Sequence, residues 1–196
     1  VLGYDVTNCS PLEIINRGVA YIPPDRQHTG LLLDFTITEN LIGKSYYKLP
    51  LSKNGIFQSR PIAEFAASSI KKFDIRTPGP DLKVKLLSGG NQQKVVLARE
   101  MSGNPALVIA AQPTRGLDVG ATEYVRNQMV EARNTGAAIL LISTELEEIL
   151  TLSDRIAVMY EGEIVGIVPA KGADIHEISE MMAGVLRVGD LTAMDV

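Results

Sequence analysis

Two short segments carry residue types that suit phosphate chemistry. The first is Leu86–Lys94, LLSGGNQQK, in which Ser88, Gly89 and Gly90 open a helical pattern. Backbone N–H groups and the positive end of the helix dipole favour an anion at such a point. Glycine also lets the backbone approach a phosphate closely. Ser88 fits equally well as a simple N-cap, so these residues alone leave both functions open.

The second segment is Leu107–Asp118, LVIAAQPTRGLD, an apolar run that ends in a Pro-Thr-Arg-Gly turn. This pattern is typical of a buried parallel strand that delivers residues to a site at its carboxyl end. A phosphate-hydrolysing site would need carboxylates there. The residues at that strand end are Ala111 and Gln112, so the strand lacks the expected acids.

Composition limits the kind of partner. A net charge of -4 and a pI near 5.3 over 196 residues disfavour nucleic acid, because phosphodiester binding needs a basic surface. The single cysteine, Cys9, forms no internal disulfide and fits a reducing compartment. No metal site is predicted, because His28 and His176 have no cysteine or carboxylate cluster at ligand spacing.

Apolar runs and helical patterns alternate after Leu107, which predicts a parallel α/β sheet. Predicted strands are Gly18–Ile22, Ala106–Ala110, Ala138–Ser143, Ile156–Tyr160 and Ile164–Val168. Predicted helices are Pro61–Phe73, Asn91–Met101, Ala121–Asn134, Glu145–Leu150 and Ile175–Ala183. The helix after the glycine turn reads as amphipathic, with Val95, Ala98 and Met101 on one face.

Three further expectations concern the rest of the chain. The start has no helix or strand signal, and the first residue is Val1, which suggests a piece of a longer protein. Leu33–Lys85 shows helical patterns around a polar loop and no strand, so it is predicted to be a helical insertion. The turn Tyr160–Glu163 joins two apolar runs into an antiparallel hairpin at the margin of the sheet, before a last helix.

LSGGNQQK, the Asn104-Pro105 break, the buried strand and PTRGLDVGA follow one another in an order that resembles the ATP-binding cassette family. It closely resembles the ATPase subunits of bacterial sugar and nucleoside importers, which carry two cassettes in one polypeptide. It extends to YIPPDRQHTGLLLDFTITENL (21–41) and LLISTELEEILTLSDRIAVMYEGEIVG (140–166). The resemblance covers about Val1 to Leu186.

The resemblance implies an incomplete P-loop NTPase sheet of the cassette type, with a helical insertion and a C-terminal hairpin plus helix. The implied segments are a partial ATPase lobe (1–32), a helical signature subdomain (33–95) and a second part of the ATPase lobe (96–196). The chain resembles the second cassette of such a protein, beginning after its phosphate-binding loop. G-x-x-x-x-G-K-[ST] occurs nowhere in it, and Gly43-Lys44-Ser45 is expected to be a solvated helix end.

The family's magnesium ligand and water-polarising acid fall on Ala111 and Gln112, its switch histidine on Glu145 and its usual glutamine on Pro24. The chain's own nucleotide site is therefore expected to be degenerate.

The signature residues are intact: Ser88, Gly89, Gly90 and Asn91. In the family this segment completes an ATP site on the opposite cassette. Asp118, with Gly116 and Leu117 before it, corresponds to the loop that communicates across the interface, and Asp118 also fits as an N-cap for a helix starting near Gly120.

The implied function is that of a nucleotide-binding domain in an importer of simple sugars or nucleosides. ATP and magnesium act in the full-length protein, whereas the chain alone is expected not to hydrolyse ATP. Its implied partners are a first cassette and membrane permease subunits at the cytoplasmic face of the inner membrane. An exposed apolar sheet edge would allow the chain to self-associate. The alternatives are a non-hydrolysing scaffold domain and a DNA-repair or chromosome ATPase.

Overall fold

A computed structural model describes residues 1–187. The chain forms two compact units, with the division between Ile142 and Ser143. The three-part scheme expected from the family resemblance uses other boundaries and remains a prediction. Among the described residues, no helix is long and apolar enough to cross a membrane.

The first unit holds most of the secondary structure. In chain order it contains α1 (Pro11–Asn16), β1 (Val19–Ile22), a π-helical turn (Arg26–Gly30), α2 (Ile37–Ile42), β2 (Ser52–Lys53), β3 (Ile56–Phe57), α3 (Ser59–Lys72), a 3-10 turn (Val84–Leu86), α4 (Gly89–Met101), β4 (Leu107–Ala111), α5 (Val119–Asn134) and β5 (Ala138–Ile142).

A parallel sheet of three strands organises this unit, in the order β1-β4-β5. The predicted parallel α/β arrangement is confirmed. The inner strand β4 pairs with both neighbours, and Val108 and Ala110 are fully buried. The opposite face of the sheet is partly exposed, since Tyr21 and Leu140, which flank Ile109 in the register, are 49% and 51% exposed. All three strands run in the same direction. Their carboxyl ends place the loops after Ile22 and Ala111 at one edge of the sheet.

Helix α4 is the central helix of the unit, and its predicted amphipathic character is wrong. Val95, Val96, Leu97 and Ala98 are all fully buried, although they point in different directions around the helix. Strand β1 lies against one side, and helices α2, α3 and α5 contact the others. Polar residues of the helix, such as Gln93 and Glu100, are buried as well, so polarity does not mark a solvent-facing side.

The insertion contains a strand pair that the sequence analysis did not predict. Strands β2 and β3 form a minimal antiparallel hairpin, with Ser52 opposite Phe57 and Lys53 opposite Ile56. The two loop residues, Asn54 and Gly55, both have positive φ angles of 52° and 79°. Asn-Gly favours this type of two-residue turn, so the dipeptide was the available signal.

The start of the chain also forms a helix, contrary to the expectation that it has no such signal. Ser10 caps α1, and Glu13 completes a capping box by accepting a hydrogen bond from the Ser10 backbone N–H at 2.8 Å. The Ser-x-x-Glu spacing with Pro11 at the first helical position is a recognised start signal. Thr36 and Glu39 form the same box at α2.

The second unit begins at Ser143 and contains α6 (Leu146–Leu152), β6 (Arg155–Tyr160), β7 (Glu163–Pro169) and α7 (Ile175–Met182). The predicted hairpin and last helix are confirmed. Strands β6 and β7 form a two-stranded sheet of their own, so the hairpin is not a margin of the parallel sheet. Its small core consists of Ile156, Val158, Val165, Ile178 and Met181.

Candidate functional site

The predicted signature turn lies at the N-terminus of α4. Ser88 has extended backbone angles, and its Oγ accepts a hydrogen bond from the Asn91 N–H at 3.4 Å, which confirms the N-cap. The first N–H groups of a helix have no intrahelical acceptor, so those of Gly89 and Gly90 remain available to a ligand. The exposed Ser88 hydroxyl lies beside them. Binding of a phosphate there remains a prediction.

Asn91 holds the turn to the segment before it. Its Nδ2 donates to Ser88 Oγ at 3.1 Å, and its Oδ1 accepts from the Arg76 N–H at 2.8 Å. The Asn91 side chain is thus engaged with the protein itself.

A second helix N-terminus lies directly beside the first. Asp118 caps α5 by accepting the Ala121 N–H at 2.8 Å, which confirms its predicted N-cap role, although the helix begins at Val119. A Cβ placed on Gly90 would lie 3.0 Å from Ala121 Cβ and 3.8 Å from Asp118 Oδ2. The missing side chain at Gly90 therefore allows the two helix ends to approach each other.

The loop that connects β4 to α5 is held to the signature helix by a buried glutamine. Gln93 Nε2 donates to the Pro113 carbonyl at 2.7 Å, and Gln93 is 3% exposed. Gly116 takes a φ of 68°, which suits glycine in this turn. Gly116 and Leu117 directly precede the Asp118 cap. The structure therefore places the predicted interface loop next to the signature turn.

Arg26 is a site residue that the sequence analysis missed. Its Nη1 donates to the Arg115 carbonyl at 2.8 Å and its Nη2 to the Gly116 carbonyl at 3.5 Å. A Cβ on Gly89 would lie 2.8 Å from the same Nη2. These contacts join residues about 60 to 90 positions apart, and no local pattern predicts them.

The end of β4 has the residues that the sequence analysis singled out. Ala111 is buried, and Gln112 adopts a left-handed φ of 48° while its N–H donates to the Ile142 carbonyl at 2.7 Å. A side chain in that conformation costs on the order of 1 kcal/mol. Mg²⁺ prefers hard, charged oxygen ligands, and neither residue supplies a carboxylate. The strand end therefore does not fit magnesium.

Pro24 and Glu145 are the other two positions that the sequence analysis assigned to the degenerate site. Pro24 is exposed, directly after β1 and before Asp25, which caps the π-helical turn. Hydrogen bonds from the His28 backbone and ring hold the pKa of Asp25 below its usual value. Glu145 belongs to the second unit and stands at the start of α6, with its N–H donating to Ser143 Oγ at 3.0 Å. The roles assigned to Pro24 and Glu145 remain predictions.

The Gly43-Lys44-Ser45 segment is not the solvated helix end that was expected. Lys44 Nζ forms an ion pair with Glu100 at 2.7 Å, and the two side chains are 21% and 5% exposed. Glu100 also accepts the Tyr21 N–H at 3.0 Å and pairs with Arg99 at 3.0 Å. Lys44 follows α2, Glu100 lies in α4 and Tyr21 lies in β1, so these bonds connect the two helices to the strand.

The far side of α4 carries a second polar network. Lys94 Nζ bonds to Asp74 Oδ2 at 2.6 Å and lies 4.5 Å from the centre of the Tyr124 ring. The Lys94 ammonium holds the pKa of Asp74 below its usual value. Tyr124 donates to the Phe73 carbonyl at 2.9 Å, and burial, with Asp74 and Glu131 nearby, raises its pKa to about 12. These contacts fix α5 relative to α4.

Two large apolar side chains are exposed beside the paired helix ends. Leu86, two residues before Ser88, is 66% exposed, and Val119, directly after Asp118, is 85% exposed. Neither side chain is covered by the rest of the described chain.

Solved structures have the same fold. MJ1267, an ATP-binding cassette of an ABC transporter, is 22% identical with a TM-score of 0.68, and the match covers 92% of this chain and 73% of that chain. An ATP-binding subunit of an ABC transporter gives a TM-score of 0.69 at 22% identity, over 93% and 75% of the two chains. No family model matches the chain. The parallel sheet and these structures show that the chain has the α/β fold of ATP-binding cassettes of ABC transporters.

Curated relatives narrow the class further. The guanosine import ATP-binding protein NupO of Bacillus subtilis (strain 168) is 47% identical over 182 residues, 93% of this chain. The nucleoside import ATP-binding protein NupA of Lactococcus lactis (strain MG1363) is 45% identical over 92% of the chain. A ribose import ATP-binding protein, RbsA of Streptococcus agalactiae (strain A909), is 39% identical over 92%.

These identities show that the chain belongs to the family of ABC importer ATP-binding proteins, and the three relatives above are named for guanosine, nucleoside and ribose import. The chain spans 36% of the length of each of these three relatives.

Proposed function

We propose that this chain is the second, C-terminal cassette of an importer ATPase, and that it contributes the signature half of an ATP site whose other half lies on the first cassette of the same polypeptide. The observation that carries this proposal is the pairing of two exposed helix N-termini, α4 at Ser88–Gly90 and α5 at Asp118, in a chain whose β4 ends in Ala111 and Gln112.

ATP bound by the first cassette would supply the phosphoanhydride bond, and Mg²⁺ would be held by that cassette. The Ser88 hydroxyl and the Gly89 and Gly90 N–H groups would contact the terminal phosphate. Fixed dipoles of this kind stabilise charge without reorganising during phosphoryl transfer. The chain's own strand end would provide neither a magnesium ligand nor a base.

The proposal includes further partners, a cellular location and a solute. Permease subunits would bind the loop around Pro24 and the helical insertion, and the protein would act at the cytoplasmic face of the membrane. A nucleoside or simple sugar would be the transported solute, as the names of the relatives suggest.

Produced alone, the chain would self-associate without hydrolysing ATP. Strand β5 pairs with β4 on one side, and its Leu140 and Ile142 are 51% and 49% exposed. An apolar edge strand of this kind pairs readily with another chain.

The test is ATP turnover by the full-length protein that carries this chain. Gln112→Ala is expected to leave the rate of ATP turnover within about twofold, because Gln112 carries no carboxylate that could hold magnesium or accept a proton. Ser88→Asp is expected to lower it about 100-fold or more, because removing or opposing one donor to a developing charge has effects of that size. A rate lost with Gln112→Ala contradicts the degenerate site. A rate retained with Ser88→Asp favours the scaffold alternative.

A further inference from the structure

The Arg26 guanidinium lies between the two parts of the proposed half-site. It donates to the Arg115 and Gly116 carbonyls, at 2.8 Å and 3.5 Å, on the interface loop. It also covers the α-carbon of Gly89, since a Cβ there would be 2.8 Å from Nη2 and 3.5 Å from Cζ. One planar group therefore contacts the signature turn and the loop before α5 at once.

The segment that carries Arg26 is itself well fixed. Asp25 Oδ1 accepts the N–H groups of Gln27 and His28, each at 3.0 Å, and so caps the π-helical turn. Gly30, the last residue of this turn, lies close to the first, since a Cβ on Gly30 would be 3.4 Å from Arg26 Cβ. The Arg26 stem is thus directed by its own segment towards the loop.

The guanidinium is held by its hydrogen bonds to two carbonyl groups and by its close packing against Gly89. Its Nε is buried and makes no hydrogen bond to any of residues 1–187. Arginine offers a rigid planar fork of donors, whereas lysine offers a single point charge, so the two are not interchangeable at such a position.

We propose that Arg26 is a positioning residue that sets the signature turn against the interface loop, and that it couples both to the segment 23–30 after β1. This inference rests on the proposed half-site function. Pro24 lies two residues before Arg26, so a displacement of this segment by a docked permease would move the guanidinium. The Gly89 N–H and the Asp118 loop would then shift together.

Arg26→Met and Arg26→Lys in the full-length protein test the role. Arg26→Met keeps the stem and removes every donor, and we expect kcat to fall about tenfold or more with KM for ATP changed by less than about threefold, because small misplacements cost rate. Arg26→Lys is expected to recover less than half of the lost rate. A kcat within twofold of the parent for Arg26→Met overturns the proposal.

Hydrogen exchange gives a readout that does not depend on turnover. With a non-hydrolysable ATP analogue, segments 86–93 and 113–118 of the parent are expected to become protected together. Arg26→Met is expected to lose this protection in both segments while its thermal unfolding midpoint stays within about 5 °C of the parent. Protection retained by Arg26→Met, or a loss explained by an unfolding midpoint far below the parent, assigns Arg26 a purely structural role and overturns the proposal.

The failure of the two proposals can be distinguished. If Ser88→Asp leaves the parent rate unchanged, the half-site function itself fails. If Ser88→Asp abolishes turnover and Arg26→Met does not affect it, only the positioning role of Arg26 is wrong.

Discussion

Gly90 of α4 and Ala121 of α5 meet so closely that a Cβ on Gly90 would lie 3.0 Å from Ala121 Cβ. This contact places the caps Ser88 and Asp118 side by side, so that two helix N-termini face the same region. The proposed half-site depends on that juxtaposition.

We predict that Gly90→Ala is destabilising because it forces the two helix ends apart. Overpacking of this kind costs about 1–2 kcal/mol. The matched variant is Ala121→Gly, which removes the opposing methyl group. Gly90→Ala should cost at least about 1 kcal/mol less in the Ala121→Gly background, as measured by chemical denaturation of all four variants. If the effects of the two substitutions on the free energy of unfolding simply add, the methyl group at position 90 does not clash with Ala121.

The buried ion pair of Lys44 and Glu100 is predicted to matter more than any exposed pair. Glu100→Gln should lower the free energy of unfolding by about 3 kcal/mol, because it leaves the largely desolvated charges of Lys44 and Arg99 without their shared carboxylate. The control is Lys85→Met, which removes an exposed pair with Asp34 and should cost less than about 1 kcal/mol. Similar losses for both variants would mean that Lys44 is solvated after all.

Tyr124 is predicted to make stability depend on alkaline pH. Its pKa is raised to about 12 from the usual 10.0, so its contribution is fully present below pH 10 and is lost as the pH rises through about 12. Spectrophotometric titration of tyrosinate in the parent minus Tyr124→Phe should show one tyrosine with a midpoint near 12. A difference curve with its midpoint near 10 would rule out a buried, shifted hydroxyl.

Strand β5 is predicted to drive self-association of the 196-residue chain. Leu140→Lys should lower the average mass measured by light scattering at high concentration, because a lysine on an edge strand opposes pairing. Val130→Lys, on the surface of α5, is the matched control and should have no such effect. A parent chain that is strictly monomeric would contradict the prediction.

The parallel sheet was predictable because buried strands such as β4 are continuous apolar runs, and that signal is local. The caps Ser88 and Asp118 were predictable for the same reason, since a cap is defined by its own few residues. The short elements were missed although their signals were present, in Ser10-x-x-Glu13 for α1 and in Asn54-Gly55 for the β2–β3 hairpin.

The contacts that assemble the candidate site were not predictable in this way. Arg26 reaches a loop 89 positions away, and Gln93 reaches the Pro113 carbonyl from inside a helix. The burial of α4 on every side depends on which helices the insertion packs against it, and no periodicity encodes that. Lys44 looked solvated because its partner, Glu100, is 56 residues away.

The matched pair Ser88→Asp and Ser88→Asn tests the central claim most directly. Asp and Asn cap helices about as well as Ser, so both variants should unfold like the parent, and they differ only in one negative charge. We predict that in the full-length protein Ser88→Asp turns over ATP at least about 30-fold more slowly than Ser88→Asn, because its carboxylate would face the terminal phosphate. Equal rates for the two variants would contradict the claim that this helix N-terminus contacts a nucleotide.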